Sequence, residues 1–363
     1  MKIRRIFENF EPYSWEPSNE QIAREFNLNP RKVVRFDTNT SPYLPSNLLD
    51  EIGKSITELP INRYPDTSYS VLRKGLASYN RRSPDSIMVA NGADEALDIV
   101  MKTFVDDGSE VILSVPTYSY YPVLTRLMGG KVKQIRRRKD FSDDIDGIKK
   151  AISKDTRLVM LCSPNNPTGN LVDSGKIEKI LDVSDCTVVV DEAYYEFCGR
   201  TLVNLTAKYD NLIVARTFSK GFSLAGLRVG YTIASEKTTA LLNNVRPPNS
   251  VGVISLKLAE IALSKIGLMR RNVARILKER DLCATALSKV KGLSVVPTNA
   301  NFMLVRFAKQ RGFDVYRKLA KKGLVVRDVS KLPGLQGYIR FSVGTPEEND
   351  KLLAVMKQLA TAN

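Results

Sequence analysis

Asn211-Leu-Ile-Val-Ala-Arg216-Thr-Phe-Ser-Lys220-Gly-Phe-Ser-Leu-Ala-Gly-Leu-Arg228-Val-Gly230-Tyr-Thr-Ile-Ala234 is the stretch from which the rest of the chain can be read. Its two ends are short, apolar and rich in β-branched residues, which predicts a strand on either side of a central connection. Lys220 lies on that connection. Its neighbours Ser219, Gly221, Ser223, Ala225 and Gly226 are small or hydroxylic and leave room for a bulky partner against the backbone. Arg216 and Arg228 are expected to disfavour a further positive charge nearby, so this ε-amine should lose its proton more readily than an ordinary lysine. Taken alone, Ser-Lys-Gly reads as a solvated loop lysine.

The second cluster is Asp191-Glu-Ala-Tyr-Tyr195, at the end of the run Thr187-Val-Val-Val190. A bare carboxylate at the end of a buried strand is costly, so Asp191 is expected to face a cation. A protonated pyridine nitrogen is such a cation, and pyridoxal phosphate carries one across the ring from the carbon that condenses with a lysine amine. An activated lysine and a buried aspartate together point to that cofactor.

Several motifs in one order then resemble a known family. Ser219-Lys220-Gly221 with Ala225-Gly-Leu-Arg228-Val-Gly230, the loop Ser163-Pro-Asn-Asn166-Pro-Thr-Gly169 and Asp191-Glu-Ala-Tyr194 resemble the fold-type I pyridoxal-phosphate-dependent aminotransferases. The similarity continues through Pro12-Tyr13, Arg63-Tyr64-Pro-Asp66, Asn91-Gly92-Ala93-Asp94-Glu95 and Pro116-Thr-Tyr118, and ends in Val326-Arg327-Asp328 and Tyr338-Ile-Arg340-Phe-Ser-Val-Gly344. The resemblance implies an α/β fold with an N-terminal arm over 1–36, a large cofactor domain over 37–250 built on a mostly parallel sheet, and a small α+β domain over 251–363. It also implies a homodimer with shared active sites, in which Tyr64 reaches the phosphate of the partner's cofactor.

By the same resemblance Lys220, Asp191 and Tyr118 carry the catalysis: the lysine anchors the cofactor and moves a proton, the aspartate holds the ring nitrogen, and the tyrosine lies on the ring. Asn166 and Tyr194 are donors to the ring oxygen, while Gly92, Ala93, Asp94, Thr217, Ser219 and Arg228 surround the phosphate. Tyr13, Asn166, Arg327 and Arg340 fall to the substrate, a phosphorylated amine in one half-reaction and glutamate or 2-oxoglutarate in the other. An aminotransferase for aromatic or other amino acids and a decarboxylase of O-phosphothreonine are the rival readings on the same scaffold. The segment Asp37-Thr-Asn-Thr-Ser-Pro42 departs from a pattern that in many relatives reads Asn-Glu-Asn-Pro, with Thr40 and Ser41 at the acidic and amide positions.

Read without the resemblance, these residues carry less. Ile87-Met-Val-Ala90 followed by small residues and an amphipathic pattern from Asp94 reads as strand, turn and helix N-terminus, which is either an anion site or a plain capped turn. Tyr13 and Tyr118 read as packed aromatics, Asn166 as part of a tight turn, and Arg340 as a strand arginine suited to a carboxylate. Asn19 to Phe26 reads as a short amphipathic helix. The break Arg246-Pro-Pro-Asn-Ser-Val-Gly252 separates the strand–helix alternation from long helical patterns and a last set of short strands, at Leu293–Val296, Asn301–Val305, Leu324–Arg327 and Tyr338–Phe341.

Composition narrows the class. At 363 residues with 43% apolar positions the chain suits a two-domain soluble enzyme. A formal charge of +16 raises the question of nucleic acid, but the basic residues are spread along the chain. The one dense run, Lys131 to Lys139, reads as an exposed strand end, so no nucleic-acid partner is expected. The sequence contains no histidine, which excludes a Ser-His-Asp triad, a histidine metal centre and imidazole acid–base chemistry. Cys162, Cys186, Cys198 and Cys283 show no metal-like spacing. No run has the length of a membrane span or signal peptide, so a cytoplasmic protein with no metal and no membrane partner is expected.

Overall fold

The computed structural model describes residues 1–361; Ala362 and Asn363, the last two residues of the expected small domain, lie outside the described residues. The arm contributes the helix Asn19–Phe26 and a two-residue strand, β1 (Val34–Arg35). Local chemistry sets the bounds of that helix. Ser18 Oγ accepts from the Gln21 amide while Gln21 Oε1 accepts from the Ser18 amide, and Asn27 closes the helix in the left-handed region at φ 53. Ile22 and Ala23 are its buried face.

Seven strands form the large sheet: β2 (Ile87–Ala90), β3 (Glu110–Val115), β4 (Lys131–Arg136), β5 (Thr156–Cys162), β6 (Thr187–Asp191), β7 (Leu212–Thr217) and β8 (Gly230–Ile233). Their order is β2-β8-β7-β6-β5-β3-β4. All neighbours are parallel except β8, which runs against both β2 and β7. The valines of β6 show why the central strands are mostly apolar. Val188 and Val190 pack into one core while Val189 packs into the other, so both faces of the strand are covered.

The long helices that follow the 246–252 break divide their contacts. Val253–Ser264 packs on Ser70–Asn80, whereas Ile266–Ser288 packs on the C-terminal helix Pro346–Thr361. The C-terminal region adds β9 (Leu293–Val295), β10 (Phe302–Phe307), β11 (Leu324–Val325), β12 (Arg327–Asp328) and β13 (Tyr338–Ser342). Four of these make an antiparallel sheet, β12-β13-β10-β9.

Two expectations need correction. The single strand expected over Leu324–Arg327 divides at Val326: β11 pairs in parallel with β1 of the arm, and β12 pairs with β13. Val325 belongs under the arm helix with Ile22 and Val33, while Arg327 turns to a polar cleft. The basic run at Lys131–Lys139 is not wholly an exposed strand end. Arg137 is buried, paired with Asp143 at 3.0 Å, and its Nε donates to the Pro116 carbonyl at 3.1 Å, which braces the turn leading to Tyr118.

Candidate active site

The carboxyl ends of β3, β5, β6 and β7 open on one side of the sheet, together with the end of β2 and the start of β8. Asp191, the last residue of β6, is only 4% exposed there. Its Oδ2 accepts from the Tyr121 hydroxyl at 2.7 Å and its Oδ1 from the Ala193 amide at 3.0 Å. Burial outweighs both bonds and lifts its pKa to about 6. Among the described residues none of its hydrogen-bond partners is a cation, so a buried acid faces the cleft without a counter-charge.

Lys220 stands on the connection after β7. Its Nζ donates to the Thr38 carbonyl at 2.8 Å, and burial, then Arg340, then Arg228 lower its pKa to about 8, against Asp94 and Glu16 acting the other way. Arg216 is not the neighbour that the sequence led one to expect. It is 2% exposed and points behind the loop, where Nε and Nη2 donate to Glu192 Oε2 at 3.0 and 2.8 Å and Nη1 donates to Asn80 Oδ1 at 2.7 Å. Glu192 neutralises it, and Arg340 supplies the field instead.

A tight cluster of glycine backbone, hydroxyl groups and Arg228 lies beside the lysine. The helix begins at Gly92, two residues before the expected start, and its first turn, whose amides have no partner within the helix, lies beside Arg228. A Cβ at Gly92, where φ is +85, would lie 2.6 Å from Arg228 Nη2, and one at Gly230 would lie 2.3 Å from the Gly92 carbonyl carbon. Only glycine permits this approach. Arg228 donates to Ser219 Oγ at 3.2 Å and to Asp94 Oδ2 at 3.0 Å, and Tyr118 donates to Asp94 Oδ1 at 3.2 Å. Thr217 Oγ1 accepts from the Ser219 amide at 3.1 Å, closing the loop around the same point. Tyr64 is not part of this group; it is 84% exposed in the irregular segment between the turns Pro60–Arg63 and Asp66–Tyr69.

The opposite wall comes from the C-terminal sheet and the arm. Arg340 is buried, with Nη1 donating to Asn166 Oδ1 at 2.6 Å, Nη2 donating to the Asp37 carbonyl, and Nε unpartnered. Arg327 lies directly across from it in the β12–β13 register. Tyr13 and Arg327 both donate to Glu16 Oε1, at 3.2 and 2.7 Å. The Tyr13 ring sits edge-on to Tyr118 with centroids 6.4 Å apart, and the Tyr194 hydroxyl accepts from Asn39 Nδ2 at 2.9 Å.

The match to aminotransferase class I and II runs over residues 31–356. The chain belongs to that family. Within it, a histidinol-phosphate aminotransferase from Thermoanaerobacter pseudethanolicus is 39% identical over 327 residues, covering 90% of this chain and 92% of the relative. One from Methanocaldococcus jannaschii is 34% identical over 369 residues, covering 99% of this chain and 97% of the relative. A crystal structure of the histidinol-phosphate aminotransferase from Clostridium acetobutylicum superposes with a TM-score of 0.83 at 26% identity, over 90% of this chain and 98% of that one.

This class I and II aminotransferase also has pocket residues that sequence reading did not single out. Tyr121 holds Asp191 from 70 positions away, and Asn39 reaches Tyr194 across 155. Asn165, fully buried beside Asn166, donates to the Pro116 carbonyl at 3.0 Å and fixes the loop that presents Asn166 to Arg340. Glu16 sits two residues beyond the Pro12-Tyr13-Ser14 segment and carried no local signal beyond its charge.

Proposed function

We propose that the chain is a histidinol-phosphate aminotransferase that uses pyridoxal 5'-phosphate to move the amino group of L-histidinol phosphate to 2-oxoglutarate, giving imidazole acetol phosphate and L-glutamate in histidine biosynthesis. The observation that carries this reading is the pairing of Lys220, an amine with a pKa near 8, with Asp191, a buried acid lacking a counter-ion at the end of the neighbouring strand. The cradle of Gly92, Gly230, Ser219 and Arg228 has the space and donor set for a phosphate.

When bound, pyridoxal phosphate supplies an aldehyde for the incoming amine and a ring that accepts the electron pair left at the substrate carbon. The Gly92, Ala93 and Asp94 amides, Thr217, Ser219 and Arg228 would hold its phosphate. Asp94, whose carboxylate binds both Arg228 and Tyr118, orients the cation and the aromatic wall together. Asp191 would keep a proton on the cofactor's ring nitrogen. Asn166 already spends its carbonyl on Arg340, and Tyr194 already accepts from Asn39; each keeps a donor for the ring oxygen.

Lys220 is the base. At pH 7.5 an amine of pKa 8 is about one-quarter neutral, against about one part in a thousand for an ordinary lysine. With no histidine in the chain, its Nζ takes the proton from the amine-bearing carbon of the substrate. Arg340 binds the anion common to both half-reactions, and Tyr13, Asn166 and Arg327 are further donors that allow a phosphate and a carboxylate to use one pocket.

A second copy completes the site in this reading. Leu44, Ile61, Tyr64 and Val71 are large exposed apolar or aromatic side chains that a second copy would cover, and Tyr64 would reach the partner's cofactor phosphate. The cysteines are free, which suits a cytoplasmic setting, and no described helix is long and apolar enough to cross a membrane. The test is to supply L-histidinol phosphate and 2-oxoglutarate and assay glutamate. Stoichiometric glutamate, formed faster than with phenylalanine as donor, is expected. Faster transfer from phenylalanine, or carbon dioxide released from O-phosphothreonine without glutamate, contradicts the reading.

A further inference from the structure

Arg327 and Arg340 face each other across β12 and β13. Like charges placed opposite each other in a strand pair repel, and in the substrate-free protein a nearby anion relieves that repulsion. The chain supplies this anion itself. Glu16 Oε1 accepts from Arg327 Nη1 at 2.7 Å and from the Tyr13 hydroxyl at 3.2 Å, and the pair is largely shielded, with side-chain exposures of 28% for Glu16 and 20% for Arg327. The ring of Tyr13, whose hydroxyl donates to Glu16, packs edge-on to Tyr118, so the carboxylate lies on the pocket side of the arm. Two of the groups read above as substrate donors are therefore already engaged by a carboxylate.

The acid of the neighbouring segment is spoken for. Asp37 is paired with Arg35 at 2.7 Å, and positions 38 to 41 carry no acid. Arg35 also donates to the Pro17 carbonyl at 2.9 Å and to Asn19 Oδ1 at 3.2 Å, which anchors the chain immediately after Glu16 and leaves the helix Asn19–Phe26 independent of where the Glu16 side chain points.

We infer that Glu16 is a built-in competitor in the substrate pocket: it occupies the donors of Arg327 and Tyr13 in the ligand-free protein and is displaced by the incoming anion. Binding is thus an exchange of one anion for another on the same two donors. The displacement cost is common to every anion that reaches Arg327, so Glu16 sets the affinity scale of the pocket without ranking phosphates against carboxylates. This rests on the reading of Tyr13 and Arg327 as substrate donors.

The chain's single tryptophan, Trp15, adjoins Glu16, is largely exposed, and has its ring centroid 5.6 Å from that of Tyr13. Its emission reports the exchange without any turnover. In protein loaded with pyridoxal phosphate, so that the cofactor's own phosphate site is filled, propyl phosphate is titrated while Trp15 fluorescence is followed, with calorimetry in parallel. Glu16→Gln should tighten binding about fivefold, the worth of one partly exposed ion pair. Glu11→Gln, which removes an equal charge from the same arm at an exposed pair with Arg126, should leave the affinity unchanged. Unchanged or weaker binding in Glu16→Gln overturns the inference, because an anchor of the arm would loosen Tyr13 and Arg327 when removed. Equal tightening in Glu11→Gln overturns it too, as does a wild-type protein that binds no propyl phosphate. Amino transfer from histidinol phosphate is scored separately, so a wrong substrate leaves this result standing.

Discussion

Lys220 Nζ donates a 2.8 Å hydrogen bond to the backbone carbonyl of Thr38, 182 positions earlier in the chain. The residues flanking Thr38 do similar work: the Asp37 carbonyl accepts from Arg340 and Asn39 Nδ2 donates to Tyr194. Three consecutive positions thus touch the proposed base, the proposed anion holder and a proposed ring donor. Asn39→Ala should lower kcat more than it raises KM for the amino donor, since Tyr194 loses its orienting bond while Arg340 keeps the backbone carbonyl. Steady-state kinetics with each substrate varied in turn would check this.

The lowered pKa of Lys220 has a cost in stability whose sign is fixed. In the unfolded chain the amine keeps its proton to about pH 10.5, whereas the folded protein releases it near pH 8. The penalty is therefore full below pH 8 and disappears as pH rises from 8 to 10.5. Lys220→Met should stabilise the cofactor-free protein by about 2–3 kcal/mol near pH 7, with the gain vanishing above pH 10.5. Urea denaturation across that range measures it; a gain that grows with pH has the wrong sign for this account.

The Gly92–Gly230 contact predicts a split between stability and cofactor binding. A Cβ at Gly230 meets backbone 2.3 Å away, which cannot move aside, so Gly230→Ala should cost about 2–4 kcal/mol. A Cβ at Gly92 meets the tip of the Arg228 side chain, which can swing away. Gly92→Ala should fold, with strain from its positive φ, and lose pyridoxal phosphate affinity by tenfold or more as Arg228 leaves the cradle. Thermal melts and cofactor titration separate the two.

Asp191 and Tyr121 should not be equivalent. Asp191→Asn removes the anion and is expected to lower kcat by about 10²–10⁴ with the cofactor still attached to Lys220. Tyr121→Phe removes one hydrogen bond that keeps Asp191 ionised, so the Asp191 pKa should rise above about 6 and the acid limb of the pH–rate profile should move upward with it. An unchanged acid limb in Tyr121→Phe would separate that limb from Asp191.

The buried Arg216–Glu192 pair is a stability element. Both side chains are almost fully buried, and Thr201 and the Leu202 amide complete the partners of Glu192. Glu192→Ala leaves Arg216 charged and unpaired, and should cost about 3–5 kcal/mol in denaturant unfolding. A loss below 1 kcal/mol would mean that Asn80 and Tyr195 suffice to hold the guanidinium.

Elements whose causes are local were legible in the sequence. The arm helix has its capping pair three residues apart, and the strands of the large sheet announce themselves by unbroken apolar runs such as Thr187–Val190. Lys220, Asp191 and the Gly92 turn were legible for the same reason, each standing at the junction of an apolar strand and a turn. What sequence reading passed over depends on distant partners. Glu16 meets Arg327 across 311 positions, and Val326 divides a strand because β1 lies beside one half of it. Arg216 was misjudged because its charge partner, Glu192, lies on the adjacent strand end, and proximity in sequence to Lys220 says nothing about which side of the sheet a side chain takes.

The proposed activity rests on Lys220 carrying the cofactor. The most direct measurement is to load the protein with pyridoxal phosphate, reduce it with borohydride and map the modified peptide by mass spectrometry, beside Lys220→Ala treated identically. One reduced adduct on Lys220 in the wild type, and none on the variant along with loss of its yellow absorbance, is the predicted result. An adduct on another lysine, or the same absorbance and turnover in Lys220→Ala, would contradict it.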